Sequence, residues 1–244
     1  YESREETSFI DAYAQVVNVE FDNPLDKHVS LVCNEKPLVK DKYVVVCGDG
    51  SGWAGKTWEM ENYAEVIKHI KTLGYKVYET GLTHTEESEP EYHECEFDKL
   101  INLIANCEFY VGTDNGPMHL ARGFDKPCFI IAGAALPYYS NPNRENIFYI
   151  QDGTHPGIGI KHKQFFNLTD QGLTFMPYFP DDPACGLNNI KPKHVVTAIE
   201  KFFDKPLSII DNSPCDFHLN VSGNLVMRDV LPGFAYYKSQ DTGI

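Results

Sequence analysis

Three features that the sequence lacks narrow its class. No run of about 18 apolar residues occurs among the 244 residues, which disfavours a transmembrane helix. None of the seven cysteines forms a CxxC pair, which disfavours a zinc site, and their odd number indicates a reducing compartment. Basic residues are few: 21 Lys and Arg against 35 Asp and Glu give a net charge of −14, which disfavours nonspecific binding to nucleic acid. We therefore expect a cytoplasmic protein, whose 42% of hydrophobic residues can form a core.

Short apolar runs alternate with amphipathic stretches through the middle of the chain. The runs predict strands over 43–47, 75–79, 109–111, 128–131 and 147–150. The amphipathic stretches predict helices over 59–73, 97–106, 117–122 and 193–203. This alternation predicts an α/β fold, a Rossmann-like parallel sheet flanked by helices. Residues 153–186 are expected to be irregular, and a C-terminal β-hairpin extension is expected within 217–230.

The first candidate site is the glycine-rich loop 48–55, which follows the first predicted strand. Glycines let backbone amides approach a phosphate closely, Ser51 could donate a hydrogen bond, and Lys56 adds a positive charge. The letters from Gly50 to Thr57 also match the P-loop pattern GxxxxGK[ST], so a P-loop phosphotransferase or NTPase is one alternative.

The second candidate site is the segment Asp114-Asn-Gly-Pro-Met-His119, between a predicted strand and a predicted helix. A helix start at Asn115 and Gly116 would offer free amides to an anion such as diphosphate. Asp114 could orient a ribose hydroxyl or cap the helix. His119 lies one turn further on, where it could reach a phosphate or be held by Asp114. The structural alternative is that Asp114 is only a cap and His119 only a half-buried histidine.

Together the two sites resemble glycosyltransferase family 9, the ADP-heptose:lipopolysaccharide heptosyltransferases. Lys56-Thr-Trp58 matches the lysine–aromatic motif of that family, and Asp114 to His119 match its D-[TN]-G-x-x-H motif. The resemblance covers roughly residues 10–204. It implies the C-terminal, donor-binding half of a GT-B fold and transfer of a sugar, with inversion, from a nucleoside-diphosphate sugar to an acceptor hydroxyl. It also implies that no metal or other cofactor takes part.

The resemblance assigns roles to particular residues. Lys56 and His119 are expected to be catalytic; the donor is expected to bind to Ser51, Gly52, Lys56, Glu86, Asp114, Asn115, Gly116 and His119. The expected partners are the nucleotide-sugar donor, a glycan or other hydroxyl acceptor, and a separate acceptor domain or chain, which would supply the catalytic base.

The resemblance also divides the chain into three regions. Residues 1–42 are expected to be a remnant of, or linker from, an acceptor domain, residues 43–204 the donor-binding domain, and residues 205–244 a β-rich extension. A noncatalytic module that binds a nucleotide-sugar or serves in assembly is the other alternative.

Overall fold

A parallel five-stranded sheet lies at the centre of the computed structural model. The structure describes residues 14, 16–20, 30–50, 54–133, 147–151, 167–169, 172–174, 187–203, 220–221 and 224–225. The strands of the sheet are β1 (Tyr43–Cys47), β2 (Lys76–Glu79), β3 (Tyr110–Thr113), β4 (Cys128–Ala132) and β5 (Ile147–Gln151). Their order is β2-β1-β3-β4-β5, and all neighbours are parallel. The predicted Rossmann-like sheet is confirmed.

Helices cover both faces of the sheet. They are α1 (Met60–Thr72), α2 (Phe97–Asn106), α3 (Gly116–Gly123) and α4 (Pro192–Phe202). Side chains alternate between the two faces of a strand. Val44 and Val46 of β1 accordingly pack with α1 and α4, and Tyr43, Val45 and Cys47 pack with α2 and α3. Because both faces are covered, every residue of β1 is buried, as is usual in parallel sheets.

The boundaries of α1 follow from its sequence. Tyr63, Val66, Ile67 and Ile70 form its buried face, at steps of three or four residues. The helix ends before Gly74, whose φ of +90° is a conformation that glycine adopts without strain. The predicted end of this helix at residue 73 is confirmed to within one residue.

The apolar residues of α2 predict that Leu100, Ile101 and Ile104 face inward, and of these the structure buries only Ile104 completely. The buried side chains are Asn102, Leu103 and Ile104, whereas Leu100 and Ile101 are only partly buried. Asn102 is buried because residues 30–42 pack against this face of α2. Asn102 accepts a hydrogen bond from the backbone nitrogen of Leu38 and donates one to the backbone oxygen of Lys36.

Two short hairpins complete the described structure. Strands β6 (Asn167–Thr169) and β7 (Gly172–Thr174) pair antiparallel inside the stretch predicted to be irregular, which is a correction. Strands β8 (Asn220–Val221) and β9 (Asn224–Leu225) pair antiparallel within the predicted C-terminal hairpin, whose remainder lies outside the described residues. Among the described helices, none combines the length and the apolarity that crossing a membrane requires.

Candidate functional site

Lys56 and Asp114 meet at the carboxyl edge of the sheet. Lys56 ends a short 3-10 turn, Ala54–Lys56, between β1 and α1, and Asp114 directly follows β3. Because β1 and β3 are neighbours, the loops that follow them are adjacent. The Lys56 Nζ lies 2.9 Å from Asp114 Oδ2 and also donates to the backbone oxygen of Asp114 at 3.1 Å. Both side chains are mostly buried, with 24% and 14% of their surface exposed.

His119 lies on the other side of the same carboxylate. Its Nε2 is 3.7 Å from Asp114 Oδ1, so the two groups form an ion pair only when the imidazole is protonated. Partial burial lowers the pKa of His119, and although the Asp114 carboxylate opposes this, the charges of Arg122 and Lys56 lower the pKa further. At neutral pH the imidazole is therefore neutral. The expectation that Asp114 lies beside His119 is consistent with this geometry.

Asn115, rather than Asp114, caps helix α3. Its Oδ1 accepts hydrogen bonds from the backbone nitrogen of Met118 at 3.0 Å and from the Tyr110 hydroxyl at 2.9 Å. Its Nδ2 donates to the backbone oxygens of Cys47 and Asp49, at 3.3 Å and 3.1 Å. Asn115 therefore fastens the first turn of α3 to the end of β1. Burial raises the pKa of Tyr110 well above its usual value, so the phenol keeps the proton that it donates.

Gly116 opens α3 on the solvent side of this cluster. It is exposed, and a Cβ added there would meet no heavy atom within 4 Å. The free amides at the start of an α-helix carry partial positive charge and attract anions. The contact with Asp114, the residue before the cap, places the Lys56 ammonium beside the start of α3. Pro117 has no N–H and the amide of Met118 is bonded to Asn115, so Gly116 supplies the amide that remains in the first three residues of α3. The described part of the site therefore offers one ammonium group and this amide at the start of a helix.

The structure does not bring every expected residue to this cluster. Ser51 and Gly52 lie outside the described residues. Glu86 is exposed in the loop that follows β2, and no hydrogen bond or ion pair found among the described residues joins it to Lys56, Asp114 or His119. Its expected contact with the donor stays a prediction.

Asp49 is a site residue that sequence reasoning missed. Its carboxylate accepts hydrogen bonds from the backbone nitrogens of Leu82, at 2.5 Å, and Thr83, at 3.3 Å, and from the Thr83 hydroxyl. The only signal in the sequence is its place, two residues beyond the buried strand β1 and within the glycine-rich loop.

The geometry around Lys56 differs from that of a P-loop. In a P-loop the lysine and the following Ser or Thr open the helix, whereas α1 begins only at Met60. Trp58, between the two, is buried, and its Nε1 donates to the backbone oxygen of Ile190 at 2.9 Å. Trp58 is thus part of the core, and the P-loop alternative has only the sequence pattern in its favour.

The sequence model of glycosyltransferase family 9 (heptosyltransferase) matches residues 9–156. The match includes Lys56 and the whole segment from Asp114 to His119, and it spans more than half of the chain. The chain therefore belongs to glycosyltransferase family 9, a family of enzymes.

Two curated relatives that are similar in sequence are heptosyltransferases. Lipopolysaccharide heptosyltransferase 2 of Salmonella typhimurium is 25% identical over 130 residues, which are 46% of this chain and 37% of the relative. Lipooligosaccharide heptosyltransferase 2 of Haemophilus influenzae is 26% identical over 133 residues, which are 48% of this chain and 37% of the relative. The chain therefore aligns with little more than a third of the length of these relatives.

Two solved structures share the fold. The iron-containing dodecameric glycosyltransferase TibC from enterotoxigenic E. coli H10407 superposes with a TM-score of 0.61 at 20% identity, over 78% of this chain and 51% of TibC. A second structure of TibC, in complex with ADP-D-β-D-heptose, has a TM-score of 0.59 at 20% identity, over 78% of this chain and 52% of TibC. At this identity the likeness supports the Rossmann-like fold alone.

The expectation that no metal takes part is contradicted by the structural neighbour TibC, whose two structures are described as iron-containing. In the parts of the chain that the structure describes, no group of three His, Cys, Asp or Glu side chains is placed to hold a metal ion. His155, His162 and Cys185 lie outside the described residues.

Proposed function

We propose that this chain binds the nucleoside-diphosphate sugar in a glycosyltransferase of the heptosyltransferase type. The observation that carries the proposal is the placing of the Lys56 ammonium, held by Asp114, beside the open N-terminus of α3. An ammonium group and the positive end of a helix, where Gly116 has an amide, together suit the two phosphates of a nucleoside diphosphate. Residues 43–204 form the donor-binding domain in this proposal, with 1–42 and 205–244 outside it.

The proposed reaction exchanges one bond at the anomeric carbon for another. The bond from that carbon to the diphosphate oxygen breaks, and the nucleoside diphosphate leaves with the electron pair. The oxygen of the acceptor hydroxyl attacks from the opposite face, and its proton passes to a base that another domain or chain supplies. Lys56 and the amides at Asn115 and Gly116 stabilise the charge that develops on the leaving group.

His119 and Asp114 shape the same pocket. The neutral imidazole of His119 can donate a hydrogen bond to a phosphate oxygen without a prior change of charge. Asp114 makes two contacts with the Lys56 Nζ, and in this proposal they hold the ammonium in place before the donor arrives. The names of the relatives support ADP-heptose as the donor, with a glycan hydroxyl as the acceptor.

Calorimetric titration of the chain with ADP, UDP and GDP tests the proposal. We expect one of the three to bind, and Lys56→Ala and Asp114→Ala to weaken its binding. Each titration is run with and without magnesium. A P-loop would instead require magnesium and would tolerate His119→Ala.

An exposed ion pair far from the site supplies the matched control. Lys76 Nζ lies 2.9 Å from Asp41 Oδ2, and Lys76 begins β2 at the amino edge of the sheet. Lys76→Ala should therefore leave the affinity unchanged. If Lys56→Ala and Lys76→Ala weaken binding equally, or if wild-type protein binds none of the three nucleotides, the proposed donor site is wrong.

A further inference from the structure

Asp49 connects the loops that follow three neighbouring strands. It belongs to the loop after β1, and its carboxylate receives the two backbone amides and the hydroxyl of the loop after β2. Its backbone oxygen receives Asn115 Nδ2, from the loop after β3, at 3.1 Å. These partners are 33 to 66 residues away in the sequence. One residue thus ties together the three loops that surround the carboxyl edge of β1.

Two glycines show how closely these loops pack. Gly81 has a φ of +124°, and a Cβ added to it would overlap the Asp49 carboxylate. A Cβ added to Gly50 would overlap the backbone oxygen of Lys56. The chain of contacts therefore runs from Thr83 through Asp49 and Gly50 to the backbone of Lys56. A displacement of Asp49 would also displace the backbone of Lys56, because atoms that are packed this closely cannot move independently.

Asp49 carries a negative charge close to the proposed binding site for an anion. A carboxylate near an anion site opposes the binding of an anion. Three donors from Leu82 and Thr83 occupy this carboxylate and stabilise its charge. Its side-chain hydrogen bonds go to the exposed residues Leu82 and Thr83 in the loop after β2, and none of those found among the described residues goes to α3. This is the arrangement of a group that orders its neighbours and does not touch the ligand.

We propose that Asp49 is a positioning residue: it fixes the backbone of Lys56, and so places the Lys56 ammonium against the first turn of α3. This inference rests on the proposed function, because the purpose of that placement is the binding of a diphosphate. Asp49 acts through Lys56 and has no contact of its own with the donor.

Two measurements on the 244-residue chain test the inference. The first is the affinity for ADP of wild type, Asp49→Asn, Lys56→Met and the double variant. We expect Asp49→Asn to weaken binding about tenfold, since it loses charge-assisted hydrogen bonds. In the Lys56→Met background the same change should have almost no further effect, because residues that act through one another are not additive. Thr83→Val, which removes one of the three donors, replaces Asp49→Asn if that variant does not fold.

The second measurement needs no nucleotide. In ¹³C-lysine-labelled protein, the Cε resonance of Lys56 is assigned by its loss in Lys56→Met. We expect Asp49→Asn to displace this resonance, and Asp41→Asn, which changes the exposed partner of Lys76, to leave it in place.

The outcomes separate the two ideas. Equal losses of affinity in both backgrounds, or an unchanged Lys56 resonance, would overturn the role of Asp49. Wild-type protein that binds no nucleoside diphosphate would overturn the proposed function, and the lysine resonance would still decide whether Asp49 places Lys56.

Discussion

Lys56 and Asp114 form a mostly buried ion pair, in which Nζ lies 2.9 Å from Oδ2 and 3.1 Å from the backbone oxygen of the same aspartate. Two residues that are 58 positions apart are thereby joined at the carboxyl edge of adjacent strands. The carboxylate has a second neighbour, His119, on its other oxygen. The site therefore contains its own counter-charge before any ligand binds.

The first prediction concerns the strength of this pair. Lys56→Met leaves the Asp114 carboxylate without its ammonium, whereas Lys56→Met together with Asp114→Asn removes both charges. We expect a coupling free energy of about 1 kcal/mol in a double-mutant cycle, because both groups are largely shielded from water. Urea unfolding of the four proteins measures it. The exposed pair Asp41–Lys76 is the control, and its cycle should show no measurable coupling. If the Lys56–Asp114 cycle also shows no measurable coupling free energy, the prediction is wrong.

The second prediction concerns pH and His119. Its pKa in the folded chain lies below the usual value of about 6.5, so the unfolded chain takes up this proton first as the pH falls. Above about pH 6.5 the imidazole is neutral in both the folded and the unfolded chain, so its ionisation does not affect the free energy of unfolding. The free energy of unfolding then decreases as the pH falls from there through the pKa of the folded chain. Wild type should lose more free energy of unfolding than His119→Gln between about pH 7.5 and about pH 5.5. Parallel losses in the two proteins would show that the pKa of His119 is not lowered.

The meeting of Lys56 with Asp114 could be predicted from the sequence because it depends on topology. Short β-branched runs and amphipathic stretches indicate parallel strands and crossover helices, and loops at the carboxyl ends of such strands are adjacent. The choice of helix cap could not be predicted in the same way. Asp114 and Asn115 are both good N-cap residues, and the partners that select Asn115 are backbone oxygens 66 and 68 positions away.

Asp49 and Asn102 show a second limit of sequence reasoning. Each is a polar residue whose partners are backbone groups of distant segments, the loop after β2 for Asp49 and residues 36–38 for Asn102. The sequence does not indicate such partners, because every residue has the same backbone groups and any distant segment could supply them. The apolar residues of α2 predict that Ile104 is buried, which is confirmed, but they give no sign that Asn102 is buried beside it by its bonds to residues 36–38.

The third prediction concerns Asn115, which caps α3 and also donates to the end of β1. Asn115→Ala removes the cap and both donated bonds, and we expect it to lower the free energy of unfolding by about 2 kcal/mol. Asn115→Asp keeps the cap but places a carboxylate against the backbone oxygens of Cys47 and Asp49, which lose the donor that Asn115 supplied. It should therefore also destabilise, although aspartate caps helices as well as asparagine does. Chemical denaturation checks both variants; a fully stable Asn115→Asp would mean that the donated bonds contribute little.

The fourth prediction separates the binding site from the fold at Gly116. A methyl group at this position meets open space, so Gly116→Ala should change the free energy of unfolding by less than about 0.5 kcal/mol. The same methyl group would stand where a phosphate must approach the first amides of α3, and we expect the affinity for ADP to fall about tenfold.

Gly74→Ala is the matched control with the opposite pattern. Gly74 has a φ of +90° between the end of α1 and the start of β2, at the opposite edge of the sheet from the loops of the site. An alanine there should destabilise the chain by about 1 kcal/mol, because its Cβ is strained at positive φ, and it should leave ADP binding unchanged. Calorimetry and urea unfolding on both variants give four values, and only this crossed pattern fits a diphosphate at the start of α3. If Gly116→Ala binds ADP as tightly as wild type, the ligand does not contact these amides, and Lys56 must act on it from elsewhere in the site.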